Sequence, residues 1–276
     1  MSQDLLRLLA CPACRTGELA GLASAPADGK VTCTGCGEVY GVHDGLPILL
    51  PPGTDPQRSH DELDHLHDHK RRQREHFDHA VAEEFETVRP HGTPRAYRWL
   101  LGQKLARAVA DLPDLRGASV VDACCGSGME AEYLARKGAR VVAVDISEGA
   151  ALRARARARR FGLDYLVVVG DVERLPVRTR AADLAFVHDG LHHLSDPLSG
   201  VRELARAADL AVSIPSPPTP RSPRWRSGSA WRPTGRRRAT RSAGCAPSRS
   251  GASWSWRGSP PGPSATSCTT RTSRER

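Results

Sequence analysis

No stretch of these 276 residues gathers the roughly 18 apolar side chains in a row that a membrane-spanning helix needs. The opening MSQDLLRLLACPAC also lacks the basic and apolar regions of a secretory signal. Both absences argue against a membrane partner and lead us to expect a cytoplasmic protein. A third lack is local. From Ser216 to the end there is no Leu, Ile, Val, Phe, Tyr, Met, Lys, Asp or Asn, so residues 216–276 have almost nothing to bury. That segment holds thirteen Arg and one Glu, or +12 of the overall +9, which leaves residues 1–215 at −3. The basicity therefore belongs to the tail, and charge elsewhere gives no argument for a nucleic-acid partner. Four Trp and two Cys among Arg, Ser and Pro fit an out-of-frame stretch from GC-rich DNA better than a solvated, nucleic-acid-binding tail. Either way we expect 216–276 to be disordered and set it outside the fold.

Eight cysteines in a chain without a secretory signal point to metal and site usage rather than to disulfides. Cys11-Pro-Ala-Cys14 and, after eighteen intervening residues, Cys33-Thr-Gly-Cys36 have the spacing of a zinc site. Each C-x-x-C turn aims two thiolates at one point, and a closed shell of four leaves no room for water, so a structural Zn²⁺ is expected. LLRLLACPACRTGEL followed by VTCTGCGEVYGVHDGLPILLP resembles the short zinc-ribbon family that includes the activator subunit of tRNA and protein methyltransferases, and the ribbons fused to bacterial methyltransferases. The resemblance spans residues 1–51 and implies a ribbon that stabilises or guides a methyltransferase, here within one chain.

Residues 52–112 read as a linker and two helices. About 60–88 is charged, and about Pro94–Leu112 is amphipathic through Tyr97, Leu100, Leu101, Leu105 and Val109. The run His60, His65, His67, His69, His76 and His79 contains an i, i+4 pair that suits a metal, although a solvated helix face is the commoner use of such a run. Phe85, Tyr97 and Trp99 are aromatics able either to lid a site or to pack the helices down.

From 113 to 215 the pattern alternates strand and helix. Ser119–Asp122 is a short apolar strand, then Ala123-Cys-Cys-Gly126-Ser-Gly128 opens a helix at Met129–Lys137, and Arg140–Asp145 is a second strand ending in an acid. This is a nucleotide-binding unit in which glycines permit close backbone approach. Asp122 separates two readings of it: a carboxylate beside the loop would repel the pyrophosphate of a dinucleotide and favours a ligand carrying a sulfonium and an ammonium. Asp145 would then accept from ribose hydroxyls and Asp171, after a third strand at Tyr165–Gly170, from an adenine amino group. Strands at Ala182–Val187 and Asp209–Ile214, with helices at about Glu148–Arg160 and Pro197–Ala207, complete a mostly parallel sheet.

VVDACCGSGMEAEYLA, VVAVDIS, GDVERLP and ADLAFVHDGLHHLSDP resemble, in order, the motifs of class I S-adenosylmethionine-dependent methyltransferases. The likeness covers about 117–214. It implies an α/β, Rossmann-like fold with Gly126, Gly128, Asp145, Ile146, Asp171 and Val172 at the cofactor S-adenosylmethionine, and Asp122 ordering the loop. Cys124 departs from it, standing where the family has its first glycine. A second departure is the region after strand five, where the family adds a helix and an antiparallel strand pair; on that ground we expect the chain as written to be incomplete, with a sheet edge open. Residues leaving strand four face the acceptor, so His188 and Asp189 are the candidates for positioning or a general base; His192 and His193 are as readily a packing signature. A small-molecule acceptor is the leading expectation. RNA methylation through the ribbon is the alternative, weakened by the charge of residues 1–215, and an inactive product that keeps only a binding role is a third.

Overall fold

The computed structural model describes residues 3–54, 65–78, 91–110, 112 and 114–214, with the backbone alone for residues 3 and 65–67 and for four short strands in the tail. The chain opens with a one-turn helix α1 (Gln3–Leu6) and four strands, β1 (Leu19–Ala20), β2 (Gly29–Cys33), β3 (Val39–His43) and β4 (Leu46–Leu49), paired antiparallel in sequence order. Asp44 and Gly45 make the β3–β4 turn, both with left-handed backbone (φ 47° and 75°), the combination a two-residue hairpin turn demands. Helices α2 (His65–Asp78) and α3 (Arg95–Ala108) follow.

The alternating part matches its expected boundaries to within a residue or two: β5 (Ser119–Ala123), α4 (Met129–Arg136), β6 (Arg140–Asp145), α5 (Glu148–Phe161), β7 (Leu166–Gly170), β8 (Ala182–Val187), α6 (Pro197–Ala207) and β9 (Ala208–Ser213). These five strands are parallel, and β5, β6 and β7 are buried almost throughout, which is why they read as unbroken valine-rich runs. The helices start and stop on local chemistry. Ser147 caps α5 by accepting from the Ala150 N–H, and Gly162 ends it in the left-handed region. Asp196 caps α6, with Pro197 in the first turn.

Nine strands share one sheet in the order β1-β2-β3-β4-β7-β6-β5-β8-β9. The four-cysteine segment is thus continuous with the Rossmann-like sheet: β4 lies parallel to β7, with Ile48 opposite Val169 and Leu49 opposite Gly170. The strand order reverses between β5 and β8, the switch point where α/β sheets bind ligands at their carboxyl ends. Both faces are covered. On one, Leu5, Leu9, Val31 and Tyr40 pack with Val121, Val142, Val168 and α6; on the other, Leu46 and Ile48 pack with Val120, Val141, Leu134 and Ala154. Among the described residues β9 pairs only with β8. No helix among them is long and apolar enough to cross a membrane. His60, His79, Phe85 and the expected disorder of 216–276 lie outside the described residues, apart from β10 (Ala239–Thr240) with β13 (Arg271–Thr272), and β11 (Cys245–Pro247) with β12 (Trp254–Trp256), two short antiparallel pairs.

Candidate functional site

A cavity of about 1130 Å³ opens at the carboxyl ends of β5, β6, β7 and β8. Its floor is the loop after β5 together with Asp145, Ile146, Asp171, Val172 and Glu173; its roof is Lys70, Gln73 and Phe77 from α2, and Tyr97, Leu101 and Lys104 from α3. Three left-handed residues bend the loop: Cys124 (φ 55°), Gly126 (φ 52°) and Gly128 (φ 78°). The two glycines do different work. A Cβ on Gly126 would meet nothing, so its bare backbone faces open space. A Cβ on Gly128 would lie 2.8 Å from Tyr165 Oη and 2.9 Å from Ala154 Cβ, so that glycine lets α4 approach α5 and is not part of the cavity wall. Arg157, fully buried, grips the loop from behind, donating through Nε to Ser127 O at 2.8 Å and through Nη1 to Glu132 Oε2 at 2.9 Å. Burial would raise Glu132, but Arg136, Arg157 and His91 together hold its carboxyl below the usual range.

Cys124 bears a side chain in a backbone region that favours glycine. Space for it comes from Gly190, where a Cβ would sit 2.4 Å from Cys124 Cβ. The cysteine thus faces the cavity and narrows it, as the sequence suggests.

Asp145 Oδ2 accepts from the Gly126 N–H and Oδ1 from the Ser147 N–H, both at 2.9 Å, and burial lifts its carboxyl above the normal value against those bonds. Asp171 accepts from the Glu173 N–H at 2.8 Å and from Lys70 Nζ at 2.7 Å; Lys70 also reaches Glu173 Oε2 at 2.8 Å. Asp122 differs from expectation. It is 1% exposed and lies beneath the floor, outside the cavity lining, because β5 buries both of its faces. Its Oδ2 has no hydrogen-bond partner, and burial, with Glu130 and Asp145 adding to it, pushes the carboxyl well above its usual range.

His188 and Asp189 both line the cavity. Asp189 is left-handed (φ 52°), pairs with Lys104 of α3, and keeps a buried Oδ1 without a partner. Such strain and orphaned polarity concentrate at working sites. His193 packs edge-on against Phe77 (5.4 Å between centroids) and is held below the usual histidine value, first by burial and then by His192 beside it. His192 is outside the lining. Tyr97 lines the cavity and Trp99, 63% exposed, does not. His69 Nδ1 lies 3.1 Å from Ser195 Oγ, which ties α2 to the loop before α6 and gives that histidine a use other than metal. Sequence reasoning missed Glu130, Lys70, Glu173, Phe77 and Arg157. Only Glu173 and Glu130 carried a signal, as acids inside recognised motifs.

The four Sγ atoms of Cys11, Cys14, Cys33 and Cys36 lie within 4.8 Å of one another, and no other such cluster occurs among the described residues. Pairs at 3.6 Å (Cys14–Cys33) and 3.7 Å (Cys11–Cys36) match the ~3.8 Å edge of a tetrahedron with Zn–S bonds of ~2.3 Å. Gly17 makes the approach possible: a Cβ there would fall 2.1 Å from Cys33 Sγ. Backbone N–H donation from Thr16 and Gly17 lowers the Cys14 thiol to about 6, whereas, against a backbone hydrogen bond from Glu38, burial and the neighbouring thiols raise Cys36 to about 12, the split expected when four thiols crowd one point. The set fits a structural zinc.

Glu130, Asp145, Asp171 and Glu173 line the cavity floor above Asp122, whose Oδ2 has no partner, whereas Lys70, Arg72 and Lys104 come from the roof and Arg153 from α5. A phosphate-free cation fits such a floor, and a pyrophosphate does not. A methyltransferase domain family matches residues 121–209. The chain is 33% identical over 144 residues to a probable tocopherol O-methyltransferase of rice, which covers 51% of this chain and 40% of that protein. It is 34% identical over 90 residues to a demethylmenaquinone methyltransferase of Corynebacterium kroppenstedtii, covering 33% of this chain and 37% of the other. The chain thus spans less than half the length of these curated relatives. Among solved structures it is similar to a magnesium protoporphyrin IX methyltransferase of Synechocystis with S-adenosylmethionine bound, at 22% identity and a TM-score of 0.45, over 63% of this chain and 82% of that one. Residues 121–209 of this chain thus match a methyltransferase domain, and the sheet that carries them also carries the four-cysteine cluster.

Proposed function

We propose that the chain transfers a methyl group from S-adenosylmethionine to a small, ring-bearing acceptor. The observation that carries this reading is the carboxylate-rich floor at the sheet's switch point, with bare Gly126 backbone above it. When bound, S-adenosylmethionine supplies an electrophilic methyl group on a cationic sulfur. Asp145 and Ile146 hold the ribose side, Asp145 by accepting from hydroxyls with its remaining lone pairs. Asp171 and Val172 hold the adenine edge once Lys70 turns wholly to Glu173. Asp122 and Gly128 act from beneath, the first through the field of its carboxylate and the second by seating α4 on α5. His188 and Asp189 stand at the acceptor side.

For the acceptor, the roof residues Phe77, Tyr97 and Leu101, with Met129 and Leu194, offer an apolar surface beside the polar floor. The names of the relatives, a tocopherol O-methyltransferase and a demethylmenaquinone methyltransferase, support a ring-bearing small molecule. The −3 charge of residues 1–215 speaks against RNA. In this reading residues 1–51 are a zinc ribbon that braces the domain, 52–112 a linker with lid helices, and 113–215 the cofactor domain, in a cytoplasmic protein whose thiols stay reduced. Equilibrium dialysis with radiolabelled S-adenosylmethionine tests the cofactor half: saturable binding is expected, weakened about tenfold or more in Asp145→Ala by loss of charged hydrogen bonds. Methyl-tritiated cofactor tests the other half with a cell extract, where label should enter solvent-extractable small molecules. Label entering RNA instead would overturn the acceptor assignment.

A further inference from the structure

Glu130, in the first turn of α4, and His188, at the end of β8, meet inside the cavity: His188 Nδ1 lies 2.9 Å from Glu130 Oε1. The histidine is buried, with its side chain 4% exposed, and packs along Phe186 at 6.4 Å between ring centroids. An ionised carboxylate only accepts, so in this pair Nδ1 is the donor and Nε2 is the nitrogen left to present a lone pair. That nitrogen makes no hydrogen bond among the described residues. Its nearest charged neighbour is Asp189 Oδ2 at 3.9 Å, which Lys104 already holds. A base with its tautomer fixed, aimed into a cavity and backed by a carboxylate, is the arrangement that accepts a proton from a nucleophile and stabilises the resulting imidazolium.

We propose that Glu130 and His188 form a carboxylate–imidazole pair that deprotonates a hydroxyl acceptor, a phenol or enol, so that the reaction is O-methylation; this rests on the methyl-transfer reading above. The chemistry of the acceptors decides the class. A neutral amine attacks with a lone pair it already has and sheds its proton afterwards, so it needs no base in advance. A phenol titrates near 10, as tyrosine does, and is almost wholly protonated at neutral pH. Here the oxygen bonds to the methyl carbon as the carbon–sulfur bond breaks with its electron pair going to sulfur, and the hydroxyl proton passes to His188 Nε2. The imidazolium faces Glu130 and then gives that proton to water. Glu130 is a positioning residue, since it acts through His188. The apolar roof of Phe77, Tyr97 and Leu101 suits the ring that carries such a hydroxyl.

The test uses the full chain, S-adenosylmethionine and two probe acceptors: 4-methoxyphenol, protonated at neutral pH, and pentafluorophenol, already ionised there. Both should be methylated by the unaltered protein. His188→Asn should lose about 100-fold on 4-methoxyphenol and Glu130→Gln about tenfold or more, while each loses no more than about threefold on pentafluorophenol, which needs no base. Nitrogen NMR of the His188 ring should find Nδ1 protonated and Nε2 bare, with Glu130→Gln mixing the two tautomers. Retained binding of S-adenosylhomocysteine shows that each variant folds. Equal losses on both phenols would overturn the proposal, as would a protein that binds S-adenosylhomocysteine yet methylates neither. Absence of S-adenosylhomocysteine binding by the unaltered protein would overturn the parent reading, and this one with it.

Discussion

Asp122 shows how a residue can be legible in type and hidden in place. Its position at the end of an apolar strand beside a glycine loop marks it in the sequence as an acid with a role, but nothing there says that it lies under the floor. Burial raises its carboxyl, so between the unfolded value of about 3.9 and the higher native one the folded chain binds more protons than the unfolded chain. Its contribution to stability is therefore largest in acid and is lost as pH rises through that window. Asp122→Asn should stabilise the ligand-free chain by about 1 kcal/mol at pH 7, change little near pH 4, and weaken S-adenosylmethionine binding. Thermal unfolding at the two pH values checks this, and a lower melting point for the variant at pH 7 would contradict it. Arg153 and Arg157 were illegible for a different reason. In the run RARARARR every arginine looks solvated, and only the packing of α5 against the loop selects two, one turn apart, for the interior.

Elements were far more legible than contacts between them. Valine-rich parallel strands and capped helices announce themselves locally, and so did the two C-x-x-C turns. What the sequence hides is non-local pairing. The register of β4 against β7 joins segments more than a hundred residues apart, and no spacing rule reports it. The same junction is reinforced by Arg174, two residues past Val172, which donates to the carbonyls of Pro12 and Ala13 in the first cysteine turn. Ala10 N–H to Pro176 O at 3.1 Å and Arg178 N–H to Leu8 O at 2.8 Å continue it. The first cysteine turn and the loop holding Asp171 thus share one set of hydrogen bonds. Stripping zinc from the loaded protein with a chelator should lower the melting temperature of the whole chain by about 5 °C or more, in a single transition. Scanning calorimetry that finds the ribbon melting alone, with the main transition unmoved, would contradict this coupling.

At the scale of the whole molecule, charge sorts the chain into a basic tail and a mildly acidic body, and within the body it gathers carboxylates at the one place where the sheet invites a nucleoside. Burial raises two carboxyls of the cavity floor, Asp145 and Asp171, and Asp122 beneath it, and a bound cation would relieve them. Binding of such a ligand should therefore release protons. Calorimetric titration of the full chain with S-adenosylmethionine and with NAD, each in buffers of different ionisation enthalpy, tests this most directly. The expected result is saturable uptake of the sulfonium compound with proton release and no measurable heat from NAD. Tighter binding of NAD than of S-adenosylmethionine would contradict the account.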